Sequence, residues 1–136
     1  MNIACFGYRS WAKNIYLKLQ SQSEITCLVF NKLNNQTYKT LKAFKPKFVL
    51  FYGWSSFIPN EITNDFDCLM LHPSNLPQFR GGSPIQNQII RGINKTKISI
   101  FLINNKIDQG DILLKDDLNL EGYIDEIFKR IEQIGF

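Results

Sequence analysis

The residues best suited to chemistry in this chain of 136 residues lie in two short segments. The only histidine, His72, stands between an apolar run and a loop rich in proline and glycine over residues 73–82. An imidazole gains and loses a proton near neutral pH, so it can act as a general acid or base. Further along, Asp108 lies in a turn over residues 107–110, directly ahead of a second apolar run. We expect the two to meet as a proton-transfer pair.

Each of these residues also has an ordinary structural interpretation. A lone histidine is often a structural side chain with a satisfied hydrogen bond, and an aspartate in such a turn commonly bonds its own backbone. The position of His72 at the carboxyl end of a predicted strand favours function, because open α/β sheets bind ligands there. Asp111 is interpreted as the structural case.

The hydrophobic pattern predicts the elements that must position this pair. Strands are expected at residues 2–8, 24–30, 48–52, 68–71, 98–103 and 111–115. Helices are expected after residue 10 and at residues 37–44, 84–91 and 121–134. The run at 48–52 is continuously apolar, which is typical of a parallel strand covered on both faces. The fold class is therefore α/β, a doubly wound, mostly parallel sheet in one domain over residues 1–136, without a C-terminal accessory domain.

Several residues mark where helices should begin and end. Ser10 is predicted to cap the first helix. Pro46 must follow the end of the second. The run from Ser83 to Gln86 has the form of a capping box, and Gly92 is the matching stop. No Gly-x-Gly-x-x-Gly motif follows the first strand, which disfavours dinucleotide binding.

The composition indicates a globular cytoplasmic protein, with 44% apolar and 21% charged residues. It contains neither an apolar run long enough to span a membrane nor a signal peptide. Cys5, Cys27 and Cys68 each lie within an apolar run and form no Cys-x-x-Cys pair, so we expect buried free thiols and no metal site.

The net charge of +4 is unevenly distributed. Residues 1–60 carry eight Lys or Arg against the single Glu24, whereas residues 61–136 carry eight against eleven Asp or Glu. The positive charge is concentrated in Lys32, Lys39, Lys42, Lys45 and Lys47. Such a cluster is usually a solvated helix face, and its functional alternative is attraction of a polyanion such as a nucleotide diphosphate, a folate glutamate tail or RNA.

The two chemical segments resemble the folate-dependent formyltransferase family. The sequence reads His-Pro-Ser-x-Leu-Pro over residues 72–77 and Asp-x-Gly-Asp over 108–111. In that family a His-x-Ser-Leu-Leu-Pro loop and a Leu-Asp-x-Gly turn form the active site. The resemblance extends from about Phe48 to the C-terminus and implies a Rossmann-like fold with 10-formyltetrahydrofolate as the formyl donor. It further implies that His72 and Asp108 handle the proton that leaves the attacking amine.

Two positions depart from the family pattern. The family usually reads Asn-x-His, and this chain has Met70 at the asparagine position. A thioether cannot donate a hydrogen bond, so the usual donor to the formyl oxygen is missing. Asn75 stands where the family usually has leucine. It is either a turn former or a catalytic residue that supplies the missing amide.

A third segment has a looser resemblance. Residues 51–59 are similar to the family segment whose backbone meets the pterin ring of the folate, where glycine permits close approach. Together with the later turn, the resemblance implies a folate-binding set of Phe51, Tyr52, Gly53, Trp54, Ile58, Ile107 and Asp108. The alternative for the aromatic members is core packing, which we expect for Phe51 in any case.

The resulting hypothesis is transfer of a formyl group to a primary amine, with a nucleotide-linked amino sugar as first choice of acceptor. The alternatives are a methionyl-tRNA formyltransferase-type enzyme or fragment, a non-catalytic folate- or nucleotide-binding module, and a structural Rossmann-like subunit without ligand. Met70 favours the binding module. A homodimer is possible, and no membrane partner is expected.

Overall fold

The computed structural model describes residues 1–54, 56–103 and 111–135. Within these residues a six-stranded sheet has the order β2-β1-β3-β4-β5-β6. The elements are β1 (Asn2–Phe6), α1 (Ser10–Gln20), β2 (Thr26–Phe30), α2 (Asn35–Phe44), β3 (Phe48–Phe51), α3 (Asn60–Asp65), β4 (Cys68–His72), α4 (Pro84–Ile90), β5 (Lys95–Leu102), β6 (Ile112–Asn119) and α5 (Ile124–Gly135).

The sheet changes direction at its centre. Strands β1 to β4 are parallel to one another, whereas β5 is antiparallel to both β4 and β6. The predicted α/β fold with a mostly parallel, doubly wound sheet is confirmed. The reversal between β4 and β5 was not located from the sequence, because strand direction also depends on the connection between the strands.

Helices cover both faces of the parallel half. On one face α1 and α5 enclose a core around Ile15, Ile127 and Ile131, all fully buried. On the other face α2 and α3 bury Leu41 and Ile62 against the aromatic side chains of β1 and β3. Burying one such side chain stabilises the fold by about 1.5–3 kcal/mol. The continuous apolar runs of β1 and β3 reflect this double cover.

Two of the predicted helix caps are wrong, although α4 begins at Pro84 as predicted. Arg9, not Ser10, is the N-cap of α1, and no side chain caps that helix. Ser83 adopts a left-handed conformation with φ 51° and makes no capping bond, so the predicted capping box does not form. In that conformation its hydroxyl cannot take the usual capping geometry, which needs extended backbone at the cap.

The second helix has the capping box that the sequence reading overlooked. The Asn34 side chain accepts hydrogen bonds from the backbone N–H groups of Gln36 and Thr37, both at 3.0 Å. Thr37 Oγ1 in turn accepts from the Asn34 backbone N–H at 2.8 Å. The helix therefore begins two residues before the predicted position. The short helix α3 was not predicted.

A buried tyrosine joins the ends of two central strands. The Tyr16 hydroxyl donates to the Phe6 carbonyl at 2.7 Å and accepts from the Tyr52 backbone N–H at 2.9 Å. Burial raises the pKa of Tyr16, so its hydroxyl keeps its proton in this role. The side chain thereby satisfies backbone groups where β1 and β3 end, beside the cavity described below.

The three cysteines are free thiols, with Cys5 and Cys68 buried and Cys27 partly exposed. The sulfur atoms of Cys5 and Cys27 lie 3.4 Å apart on neighbouring strands. Over the described part of the chain, no helix has the length and apolar character needed to cross a membrane.

Candidate active site

A cavity of about 610 Å³ opens beside the carboxyl ends of β3 and β4. Its walls are mainly apolar, with side chains from α1, the segment after β3, strand β4 and helix α5. Its polar wall includes His72 and the segment from Gly81 to Gln86. The volume lies within the range of small-molecule sites, which are largely apolar with a few polar groups.

His72 is the last residue of β4 and is only 5% exposed. Its Nε2 lies 2.6 Å from the carbonyl oxygen of Phe79 in the loop that follows. A carbonyl only accepts hydrogen bonds, so Nε2 must carry the hydrogen in this conformation. Phe79 has φ 56°, a region that residues other than glycine adopt infrequently. The loop thus provides a backbone carbonyl that accepts a hydrogen bond from the imidazole, and this bond fixes the orientation of the ring.

Asp108, the predicted partner of His72, lies outside the described residues, so a contact between the two stays a prediction. Ile107 of the implied folate-binding set also lies outside the described residues. Strand β5 runs antiparallel to β4. The last described residue after β5, Ile103, donates its backbone N–H to the Cys68 carbonyl at 2.9 Å. The chain therefore leaves β5 beside the start of β4, at the end opposite His72.

Met70 and Asn75 occupy different environments. Met70 is partly buried and lines the cavity two residues before His72. The two side chains point to the same face of β4, because alternate residues of a strand do so. Asn75 is not part of the cavity lining. Its Oδ1 accepts a hydrogen bond from Lys115 Nζ at 2.7 Å. A catalytic role for Asn75 stays a prediction, and it requires the remaining amide group to reach the cavity.

The segment implied to bind folate divides into two parts. Phe51 is fully buried and stacks on Phe6 with ring centroids 4.9 Å apart, so it belongs to the core, and Tyr52 is 5% exposed. Burial raises the pKa of Tyr52. Gly53, Trp54 and Ile58 line the cavity. The described structure therefore brings three members of the implied set to the cavity beside His72.

Gly53 occupies a position where a side chain would be strained. It has φ +65°, and an added Cβ would lie 3.0 Å from side-chain atoms of Arg9 and Trp11. A side chain at position 53 would therefore be strained on both conformational and steric grounds. The close approach that glycine permits here is to the side chains of Arg9 and Trp11.

Sequence reasoning missed Arg9, which is the charged side chain among the described residues that line the cavity. Its Nε donates to the Gly53 carbonyl at 3.0 Å, and its guanidinium lies 5.6 Å from the centre of the Tyr8 ring. The available signal was its position directly after the first strand, where ligands of such sheets bind.

Two further candidates for a functional site are the lysine cluster and a metal-binding group of side chains. The five lysines of the predicted cluster are solvent-exposed and do not line it. In the residues that the structure describes, no group of three or more His, Cys, Asp and Glu side chains could hold a metal ion.

Comparison with known proteins identifies the family. A family model described as formyl transferase matches residues 4–126. The chain belongs to the formyl transferase family. Methionyl-tRNA formyltransferase of Rickettsia prowazekii is 35% identical over 106 residues, which are 75% of this chain and 35% of that protein. The enzyme of the same name from Campylobacter fetus is 36% identical over 95 residues, 68% of this chain and 31% of the relative.

Solved structures match the fold of this chain. Methionyl-tRNA formyltransferase from Clostridium thermocellum superposes with a TM-score of 0.90 at 40% identity, over 98% of this chain and 60% of that one. HypX from Aquifex aeolicus in complex with tetrahydrofolic acid gives a TM-score of 0.75 at 21% identity, over 86% of this chain and 21% of that one, and this shows the fold alone. The chain spans about a third of the length of the curated relatives named above.

Proposed function

We propose that this chain carries the reaction site of an enzyme that transfers a formyl group from 10-formyltetrahydrofolate to a primary amine. The observation that carries the proposal is the position of His72. The chain is a member of the formyl transferase family and has one histidine. This histidine is buried in the wall of the cavity. The apolar walls suit the faces of a heteroaromatic ring, and the backbone at Gly53 suits its edge.

The chemistry requires a proton to move as the formyl group changes partner. The amine nitrogen bonds to the formyl carbon, and the bond from that carbon to N10 of the folate breaks. The attacking nitrogen loses a proton and N10 gains one, so the products are a formamide and tetrahydrofolate. We assign this proton transfer to His72, oriented by Asp108. Because Nε2 carries a hydrogen and donates it to the Phe79 carbonyl, Nδ1 is the nitrogen of the neutral ring that accepts a proton in this tautomer.

We infer that the acceptor is the amino group of methionyl-tRNA. The relatives named above are methionyl-tRNA formyltransferases, and they favour this alternative over the nucleotide-linked amino sugar that the sequence analysis places first. The five exposed lysines supply positive charge that can attract the phosphates of a nucleic acid. A tRNA acceptor predicts a Michaelis constant that rises steeply with salt concentration, and a small sugar nucleotide predicts a much weaker dependence.

A turnover assay with both acceptors tests the proposal. We expect 10-formyltetrahydrofolate and methionyl-tRNA to give N-formylmethionyl-tRNA with the wild-type chain. The His72→Ala variant should lose turnover and keep its folate affinity in calorimetry, because His72 acts on the proton and not on pterin recognition. Equal turnover of wild type and His72→Ala would refute the assigned role.

The second candidate is a folate-binding module without catalysis. It is favoured by Met70, which places an apolar thioether in the cavity where the family has a hydrogen-bond donor. Folate binding without turnover on either amine would support this candidate. A chain with no affinity for reduced folates would support only the structural subunit.

A further inference from the structure

The loop that follows His72 is held by buried polar side chains. Among the described residues, the buried polar or charged side chains are His72, Ser74, Gln88 and Ser99, each at most 5% exposed. Buried polar groups are costly unless they are hydrogen-bonded. All four lie in this loop or donate hydrogen bonds to it. These four buried side chains therefore all serve one segment.

Three backbone carbonyls of the loop accept hydrogen bonds from different side chains. Ser99 Oγ on β5 donates to the Ser74 carbonyl at 2.8 Å. Lys115 Nζ on β6 donates to the Leu76 carbonyl at 2.8 Å. Ser74 Oγ closes the turn by donating to the Gln78 carbonyl at 2.6 Å. These contacts hold a loop that has little regular backbone pairing of its own.

Gln88 differs from the other donors because one amide group joins two walls of the cavity. Its Nε2 donates to the Pro73 carbonyl at 2.8 Å and to the Pro84 carbonyl at 2.9 Å. Pro73 follows His72 directly, and Pro84 is the first residue of helix α4. Both prolines line the cavity, whereas Gln88 does not. Gln88 is 1% exposed, so water cannot readily replace it.

The position of the Pro73 carbonyl affects the imidazole through the loop. The Nε2 hydrogen bond of His72 ends on Phe79, seven residues later. It forms only if the intervening turn carries the Phe79 carbonyl back over the ring. A displacement at Pro73 would move the start of that turn and draw the Phe79 carbonyl away from Nε2, which would weaken a contact that favours the tautomer protonated there.

We propose that Gln88 is a positioning residue for His72, acting through the Pro73 carbonyl. The inference rests on the proposed formyl transfer for its effect on turnover, and it rests on geometry alone for its effect on the imidazole. Gln88 touches neither the cavity nor the ring, so its loss changes orientation and leaves the chemical groups intact. Misplacement of a reacting group by about 1 Å lowers turnover by about a hundredfold.

The test compares Gln88→Met with Gln133→Met in the full chain. Methionine keeps the length of glutamine and removes the donor. Gln133 is an exposed glutamine on α5 and serves as the matched control. Ile62→Val, at a fully buried position on the opposite face of the sheet, controls for lost stability alone. Nitrogen-15 NMR reports the tautomer of His72 without ambiguity, because the chain has one histidine.

We expect wild type and both control variants to show the tautomer protonated at Nε2. Gln88→Met should show a mixture of tautomers, with turnover about a hundredfold lower and the Michaelis constant for the folate unchanged. A wild-type tautomer in Gln88→Met would overturn the proposal, even if the variant were less stable.

Two further outcomes remain decisive. If Gln88→Met does not fold, Gln88→Asn keeps the amide and shortens its reach by one methylene, and the same tautomer shift is expected. If the wild type transfers no formyl group to any amine, the proposed function fails, while the tautomer comparison still decides the role of Gln88.

Discussion

The Met70→Asn substitution is expected to raise the rate of formyl transfer and to lower the folding stability of the protein. Positions 70 and 72 lie two residues apart on β4, which places their Cα atoms about 6.6 Å apart with both side chains on one face. An asparagine amide at position 70 therefore reaches the space beside the imidazole. One such donor to a developing oxyanion typically contributes about a hundred- to a thousandfold in turnover, or about 3–4 kcal/mol.

The same substitution removes apolar packing. Met70 is partly buried against the core that contains Cys68 and Ile62, so its replacement by a smaller polar side chain costs about 1–2 kcal/mol of folding stability. Turnover and melting temperature should thus change in opposite directions. Folate affinity should change little, because the new interaction forms only in the transition state.

The assay is single-turnover formyl transfer to methionyl-tRNA, with calorimetry for folate and thermal denaturation for stability. Met70→Leu is the matched control, since it alters the same position without adding a donor. A folded Met70→Asn that binds folate and turns over no faster than Met70→Leu would refute the reasoning. Asn75→Leu then shows whether Asn75 supplies the donor: turnover should vanish with folate affinity intact. If neither wild type nor Met70→Asn transfers a formyl group, the folate-binding module without catalysis is favoured.

Three further predictions concern the rest of the fold. Gly7→Ala should lower the melting temperature by several degrees, because its Cβ would lie 2.9 Å from a buried tyrosine ring, whereas Gly82→Ala, which meets nothing within 4 Å, should not. Burial raises the pKa of Cys68 from 9.0 to about 12, so the folded state keeps a proton that the unfolded state loses. The stability of wild type should therefore fall more steeply than that of Cys68→Ala as the pH rises from about 9 towards 12, measured by urea unfolding. Iodoacetamide should modify Cys27 before Cys5, as judged by peptide mass spectrometry, because their hydrogen bond lowers the pKa of Cys27 and raises that of the buried Cys5.

The parallel half of the sheet could be predicted from the sequence because its strands have a distinctive apolar composition. β1 and β3 are continuous apolar runs between clear helix patterns, and their double cover requires that composition. Their ends were overestimated by one or two residues. Tyr8 and Tyr52 continue the apolar pattern after the strand pairing has stopped, so the pattern alone could not show where each strand ends.

The candidate site was only partly readable. His72 could be identified by its residue type and its position at a strand end. The residues that position the loop after His72 could not be identified from the sequence. Gln88 looks like a polar residue in an ordinary amphipathic helix, and its burial follows from a tertiary contact with a loop fifteen residues earlier. The capping signal at Ser83 was misleading because the backbone there is left-handed, which the residue types do not show. Local patterns cannot show such long-range constraints.

The chain order of the loop donors has a consequence for how the protein matures. Gln88, Ser99 and Lys115 all follow the loop that they hold. The parallel strands β1 to β4 can pair while the chain is being synthesised, since each needs only a partner already made or the next to emerge. His72 would then be present on a formed strand with its loop still unrestrained. The site therefore depends on β5 and β6, which add the last donors to a loop whose own strand is already made.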